Sequence, residues 1–355
     1  MANKKILISG NEAIAEGALA AGCSFYAGYP ITPQNEIIAY MASQMPERGG
    51  VFVQAESELA AINMVFGASA TGARAMTSSS SPGISLKQEG ISYLAGAQLP
   101  AVIVNIMRAG PGLGNIWPAQ SDYFQATRSG GHGDYHCIVL AFASVQEAYD
   151  MMQLAFDLAD KYRNPVIILG DGLLGQMMEP IVAKRISPIV YRSNKQKKWA
   201  LTGCKGRKPN IIRSLYMSQD ALEKSNFSLQ AKYQKIKKSE ERYEGWFLDD
   251  AKIILVAHGS MARIAKGAVK ALRDKGKRIG LIRPITLWPF PAKIFRQLVM
   301  ENKKLTFLAV EMSFGQMVED VRLSVNGKVP VKFFGRSGGA VLTAEEIIRE
   351  VNKLE

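Results

Sequence analysis

The chain has 355 residues, is 47% hydrophobic and carries a formal net charge of +13, so it has material for two domains with buried cores. It holds no uninterrupted apolar run long enough to cross a bilayer, and MANKKILISG enters a strand pattern with no signal-peptide h-region, so the chain reads as cytoplasmic. Cys23, Cys137 and Cys204 are widely separated and form no CxxC, which excludes an iron–sulfur or zinc site of usual spacing and argues against a disulfide framework.

Lys4 to Gly10 reads as a short buried strand and Asn11 to Gly22 as a helix. Ser24 to Tyr29 is a second strand, running into Tyr29-Pro30-Ile31-Thr32-Pro33. Two prolines three apart fix this turn and remove its amide donors, so Thr32 is held at the end of a strand. Strand carboxyl ends are where open α/β sheets bind ligands, although Pro33 also suits the start of a helix over Gln34 to Met45. Gly50 to Val53 is a strand end, followed by Glu56 and Glu58 and then a small-residue helix, Leu59 to Ser69. A carboxylate at this junction is either an acid favoured by the helix dipole or a buried acid whose proton does chemistry.

A strand at Arg74 to Thr77 leads into Ser78-Ser79-Ser80-Ser81-Pro82-Gly83 and a helix over Ile84 to Gln98. The amides and hydroxyls of this turn suit a polar ligand edge, or serve only as caps. Pro100 to Met107 is almost wholly apolar, as a central parallel strand requires. It delivers Arg108 ahead of the loop AGPGLGNIWPAQSD, a position from which an arginine can grip a carboxylate through two nitrogens. GGHGDYH (130–136) matches no zinc spacing. Ile138 to Phe142 is a strand, Ser144 to Arg163 a helix opened by a Ser144/Glu147 capping box, and Pro165 to Gly170 the strand that closes the domain. Strands and helices alternate throughout, which is the pattern of a doubly wound α/β domain with a parallel sheet, assigned to residues 1–180.

Residues 181–250 carry 16 Lys or Arg against 7 Asp or Glu, so most of the positive excess sits in one segment. No nucleic-acid motif accompanies it, and it reads as a solvated connector containing a helix over Ser218 to Tyr243. Residues 251–355 form a second, smaller α/β domain. Its strands are expected at Lys252 to Ala257, Arg278 to Ile282, Leu305 to Glu311 and Val331 to Phe334, with helices over Met261 to Lys275 and Thr343 to Lys353. His258 reads as a turn residue.

The motifs YPITP (29–33), ESELAA (56–61), TSSSSPG (77–83), MRAGPGLG (107–114), Gln120-Ser121-Asp122, GGHGD (130–134), LIRPITLWPFP (281–291) and EMSFGQM (311–317) occur in one order. In that order the chain resembles, along essentially its whole length, the alpha-type subunit of 2-oxoacid:ferredoxin oxidoreductases. The loop Gly110 to Gly114, with QSDYFQA and GGHGDYH, is most similar to the 3-methyl-2-oxobutanoate (2-oxoisovalerate) branch, with the 2-oxoglutarate branch close behind. The resemblance implies a first domain that binds the aminopyrimidine of thiamine diphosphate and a second domain like the transketolase C-terminal domain. It further implies that Mg2+ and the diphosphate are held by a partner beta subunit and that [4Fe-4S] clusters sit on a ferredoxin-like cluster subunit, alongside a gamma subunit. Ferredoxin would take the electrons and coenzyme A the acyl group. On this chain Glu58 would hydrogen-bond the aminopyrimidine N1′, Tyr29, Pro30, Ile31 and Ser81 would line the cofactor, and Thr32 and Arg108 would hold the substrate carboxylate. No metal ligand is expected here: Gly170-Asp171-Gly172 resembles a magnesium–diphosphate signature, but the nearest downstream asparagine is Asn194 and no helix pattern ends there, so it reads as a strand-end turn. Neither nucleic acid nor membrane is expected as a partner. The rival from another class is a non-catalytic scaffold subunit, which would be expected to lose Glu58, Thr32 or Arg108; the chain keeps all three.

Overall fold

A computed structural model describes residues 5–183 and 197–354. The first strand, β1 (Lys5–Ser9), departs from expectation. It pairs antiparallel with β8 (Met178–Val182) in a separate two-stranded ribbon and buries only Ile8. The apolar alternation of KILIS is satisfied by one covered face, which a ribbon provides as well as a central sheet does. Helix α1 (Gly10–Ala20) follows, capped by a Ser9/Glu12 box.

The larger sheet holds six parallel strands: β2 (Phe25–Gly28), β3 (Val51–Gln54), β4 (Ala75–Ser79), β5 (Ala101–Met107), β6 (Ile138–Leu140) and β7 (Pro165–Asp171). β5 and β7 are buried at every residue, as strands covered on both faces must be. Helices α1, α2 (Asn35–Glu47) and α6 (Val145–Tyr162) pack together in one layer, and α3 (Glu58–Ala70) packs with α4 (Ser81–Gly96) in another. The short α5 (Tyr123–Thr127) and α7 (Gly172–Gln176) complete this part. The doubly wound α/β fold is as expected from the alternating pattern.

Residues 184–196, the first part of the expected connector, lie outside the described residues, and Asn194 with them. The connector helix α8 (Gln219–Ser239) ends earlier than expected, and β9 (Tyr243–Trp246) follows it. The smaller sheet runs β14-β13-β10-β11-β9, from β10 (Ile253–Val256), β11 (Ile279–Pro284), β13 (Thr306–Glu311) and β14 (Val331–Gly335), all parallel, with β9 antiparallel at one edge. Around it lie α9 (Gly259–Arg273), α10 (Ala292–Glu301), α11 (Met317–Val325) and α12 (Ala344–Asn352).

The two sheets are bound together by exchange. Strand β12 (Thr286–Trp288), from the second half of the chain, joins the larger sheet antiparallel to β6, giving the order β12-β6-β7-β5-β4-β2-β3. Its Trp288 stacks on His136 at 4.4 Å, and Tyr233 of α8 meets both rings edge-on. This is the structural use of GGHGDYH and LIRPITLWPFP. Buried Arg283, also in that second motif, donates through both terminal nitrogens to Glu147 at 2.8 Å. The expected Ser144/Glu147 capping box therefore forms only in half. Ser144 Oγ accepts the Glu147 N–H, but the Glu147 carboxylate turns to Arg283 and to the Ala143 N–H instead of closing on Ser144. A charge-assisted bidentate bond outweighs one neutral cap.

Gln120 is fully buried and serves both halves: its N–H donates to Met312 O, its Nε2 to His258 O, and its Oε1 accepts the Met312 N–H. Gln316 donates to Ser121 O and accepts the Phe124 N–H, both at 2.7 Å. Glu311 makes this arrangement possible. Its buried carboxylate accepts from Ser313 Oγ and from the N–H groups of Gln316, Met317 and Val318 at 2.9–3.0 Å, capping α11 from the end of β13. Glu311→Ala should strand those donors and destabilise the chain by about 3 kcal/mol, read as a lowered melting midpoint with earlier proteolysis at the interface between the halves; an unchanged midpoint would deny Glu311 this part.

Candidate active site at the switch point of the larger sheet

Strands β2 and β4 are neighbours, but the chain leaves them in opposite directions, through α2 to β3 and through α4 to β5. A crevice opens outside the carboxyl ends of strands at such a reversal. The Tyr29 to Pro33 turn leaves β2 on one side, and Ser80 with the start of α4 leaves β4 on the other. Helix α3 enters from β3, and Arg108 follows β5.

Ser57 caps α3, its Oγ accepting the Ala60 N–H at 3.1 Å, so Glu58 is the first helical residue. Glu58 is buried, 6% exposed, whereas Glu56 faces solvent. Gly83 makes room for its carboxylate: a Cβ at that position would overlap Ser79 Oγ and lie 2.5 Å from Glu58 Oε1. The Ser79 and Ser80 hydroxyls beside it are buried without a partner. Beneath, fully buried Lys87 donates from Nζ to Glu58 O at 3.2 Å and to Thr77 Oγ1 at 3.1 Å. Burial brings its ammonium down to about 8, against the pull of the Glu58 charge. Lys87 was not singled out from the sequence, although the signal was present: it shares a helical face with Ile84 and Ile91, where an apolar residue is expected.

Arg108 is held across the crevice mouth. Its Nη1 donates to Thr32 O at 3.1 Å and its Nη2 to Leu113 O at 3.3 Å, while Nε is buried and unpartnered. This joins the 29–33 turn to the 110–114 loop. Thr32 Oγ1 meets only Asn35 Nδ2, at 3.4 Å. Ile31 and Thr32 are half-buried, and Tyr29 and Pro30 stand exposed at the rim. Ser81 Oγ accepts the Arg108 N–H at 3.0 Å and donates to Asp122 at 2.6 Å, where Asn105 Nδ2 also donates at 2.9 Å. Burial raises the Asp122 carboxyl, and those two bonds oppose the rise. Asp122 and Asn105 were missed as individuals, since nothing local marks a carboxylate that meets its partners across the fold.

The remaining polar motifs lie elsewhere. Asp171 of GDG ends β7, caps α7 through the Leu174 N–H and accepts the N–H and hydroxyl of Ser260, which ties it to the second half. Burial raises its carboxyl, opposed by those bonds. His258 occupies the N-cap position of α9, buried, with neither ring nitrogen partnered; burial holds it down at about 4, so it is neutral. Burial pushes the Cys23 and Cys137 thiols up to about 12. Among the described residues no three His, Cys, Asp or Glu side chains gather as a metal site, and no helix is long and apolar enough to cross a membrane.

The residues of the crevice fit the pyrimidine end of a thiamine cofactor. A buried carboxylate stands there, Gly83 lets it lie close against the start of α4, and the Ser79 and Ser80 hydroxyls are buried without a partner. Residues 16–244 match the family model described as pyruvate flavodoxin/ferredoxin oxidoreductase, thiamine diphosphate-binding, and residues 251–347 match pyruvate:ferredoxin oxidoreductase core domain II. The chain is 50% identical over 348 residues to the ketoisovalerate oxidoreductase subunit VorB of Methanothermobacter marburgensis, covering 98% of this chain and 97% of that one. It is 37% identical to the 2-oxoglutarate synthase subunit KorA of the same organism, covering 98% of each. Among solved structures it superposes on the 2-oxoglutarate:ferredoxin oxidoreductase of Magnetococcus marinus with a TM-score of 0.85 at 27% identity, covering 98% of this chain and 65% of that one. The chain therefore belongs to the thiamine-diphosphate-binding family of 2-oxoacid:ferredoxin oxidoreductases, as an enzyme subunit of that family.

Proposed function

We propose that this chain is the thiamine-binding subunit of a cytoplasmic complex that oxidatively decarboxylates 3-methyl-2-oxobutanoate to an acyl-CoA and CO2, with electrons passed to ferredoxin. The observation that carries the reading is the Glu58 carboxylate, buried at the N-terminus of α3 and packed so closely against Gly83 that a Cβ there would collide with it. The branched substrate is favoured over 2-oxoglutarate by the higher whole-chain identity to a ketoisovalerate oxidoreductase subunit.

Glu58 would hold the aminopyrimidine N1′ and exchange a proton with it, in surroundings that exclude water and sharpen the hydrogen bond. Thiamine diphosphate, when bound, supplies the electron sink for decarboxylation. Tyr29, Pro30 and Ile31 would form the rim against the ring. The orphaned Ser79 and Ser80 hydroxyls offer polar contact within, while Ser81 supports the wall through Asp122. Arg108 would take the substrate carboxylate with its unpartnered Nε, assisted by the Thr32 hydroxyl. Its present partners are two carbonyl oxygens, which a carboxylate outcompetes. As the family resemblance implies, a beta subunit would hold the diphosphate and Mg2+ and further partner subunits the [4Fe-4S] clusters; this sequence carries no usual motif for either.

The test is dye or ferredoxin reduction by the co-expressed complex, with thiamine diphosphate, magnesium and coenzyme A, against 3-methyl-2-oxobutanoate, 2-oxoglutarate and pyruvate in parallel. The branched acid should be preferred. Preference for 2-oxoglutarate would change the substrate, and no turnover by a fully cluster-loaded complex would leave a scaffold subunit. Glu58→Gln should lower turnover at least about 100-fold while the subunits still assemble; full activity would remove Glu58 from the mechanism. Arg108→Met should raise KM for the oxoacid by about 10- to 100-fold, the worth of a charged hydrogen bond, and an unchanged KM would take Arg108 out of the substrate site.

A further inference from the structure

Helix α4 carries an ammonium group where apolar side chains are usual. Ile84, Lys87 and Ile91 share its buried face, and Lys87 is fully buried. A methionine would fill the same volume without desolvating a charge, so packing alone does not account for a lysine. Its two bonds reach different elements: Glu58 O lies on the first turn of α3, and Thr77 Oγ1 on β4. Among the groups facing it, Thr77 is neutral, and Glu58 on α3 is the charge that acts on it. Glu89, on its own helix, is turned to solvent and bonded by Tyr93. The ammonium thus joins β4 to the first turn of α3, the turn that carries the buried Glu58.

We propose that Lys87 is a positioning residue for Glu58: it ties the first turn of α3 to β4 and supplies the positive charge against which the Glu58 carboxylate is presented to the aminopyrimidine. The inference rests on the reading of this crevice as the thiamine site. Three consequences follow from the geometry. Removing the side chain frees the first turn of α3 from β4, so Glu58 loses its fixed placement. Removing only the charge weakens the tether and takes away the favourable charge interaction between Lys87 and Glu58. Raising the pH does the same reversibly: burial has brought the ammonium down to about 8, so the charge is present below that pH and lost above it.

The experiment uses the assembled complex and measures the Kd for thiamine diphosphate by calorimetry from about pH 6.5 to about pH 9.5, with the melting midpoint as a check on folding. The wild-type complex should lose affinity as the pH rises through about 8. Lys87→Met, close to isosteric, should keep its midpoint, bind about tenfold more weakly at neutral pH, and lack the step. Lys87→Arg should recover affinity and also lack the step, because a guanidinium stays charged throughout. Wild-type affinity and an unchanged profile in Lys87→Met overturn the proposal while leaving Glu58 in place. If that variant does not fold, the wild-type profile decides, and a flat one overturns the proposal. A wild-type complex that binds no thiamine diphosphate at any pH overturns the functional reading itself.

Discussion

Asp122 is a carboxylate withdrawn from water at the point where strand, loop and second domain meet. It gathers the Ser81 hydroxyl and the Asn105 amide, and through Ser81 it fixes the backbone of Arg108. Its sequence neighbours face the other way: Gln120 is bonded to His258 and Met312, and the Ser121 carbonyl accepts from Gln316. The crevice wall and the second domain are therefore held by three consecutive residues. Asp122 is half-buried, and its bonds to Ser81 and Asn105 couple the site to the strand and loop on either side.

The second domain determines the surroundings of the crevice. Glu311 caps α11 and so presents Gln316 to the 121–124 segment. Gly338 and Gly339 lie against Asn115 and Trp117, at the far end of the loop whose Leu113 carbonyl receives Arg108. Asp171 shows how one motif can serve another purpose. A GDG at a strand end is well placed for phosphate chemistry, yet both oxygens of this aspartate are used, one on α7 and the other on Ser260. The contact holds the halves together.

The crevice itself has two electrostatic levels. At the mouth, Arg108 is loosely engaged by carbonyl oxygens and has one idle nitrogen, an arrangement suited to an incoming anion. At the floor, the buried Lys87 ammonium bonds the backbone carbonyl of Glu58 and the Thr77 hydroxyl. The lower cation is fixed by the fold through its bonds to α3 and β4.

Local pattern was sufficient for much of this. The alternation of apolar strands and helices identifies the doubly wound domain, and the junction before the small-residue helix places two acids there, because both depend on neighbours a few residues away; the tertiary structure is what buries Glu58 and leaves Glu56 exposed. The order of motifs was enough to point to the family. What remained hidden was long-range. That 286–288 completes the first sheet beside 138–140, that Lys5–Ser9 leaves it for a ribbon, and that Glu147 abandons its cap for Arg283 are all decided by partners distant in the chain. Lys87 stood in plain view on an apolar face, but its meaning required knowing what lies opposite. Periodicity reports which face of an element is covered; only the tertiary structure decides what covers it, because a buried charge takes its role from the group it meets.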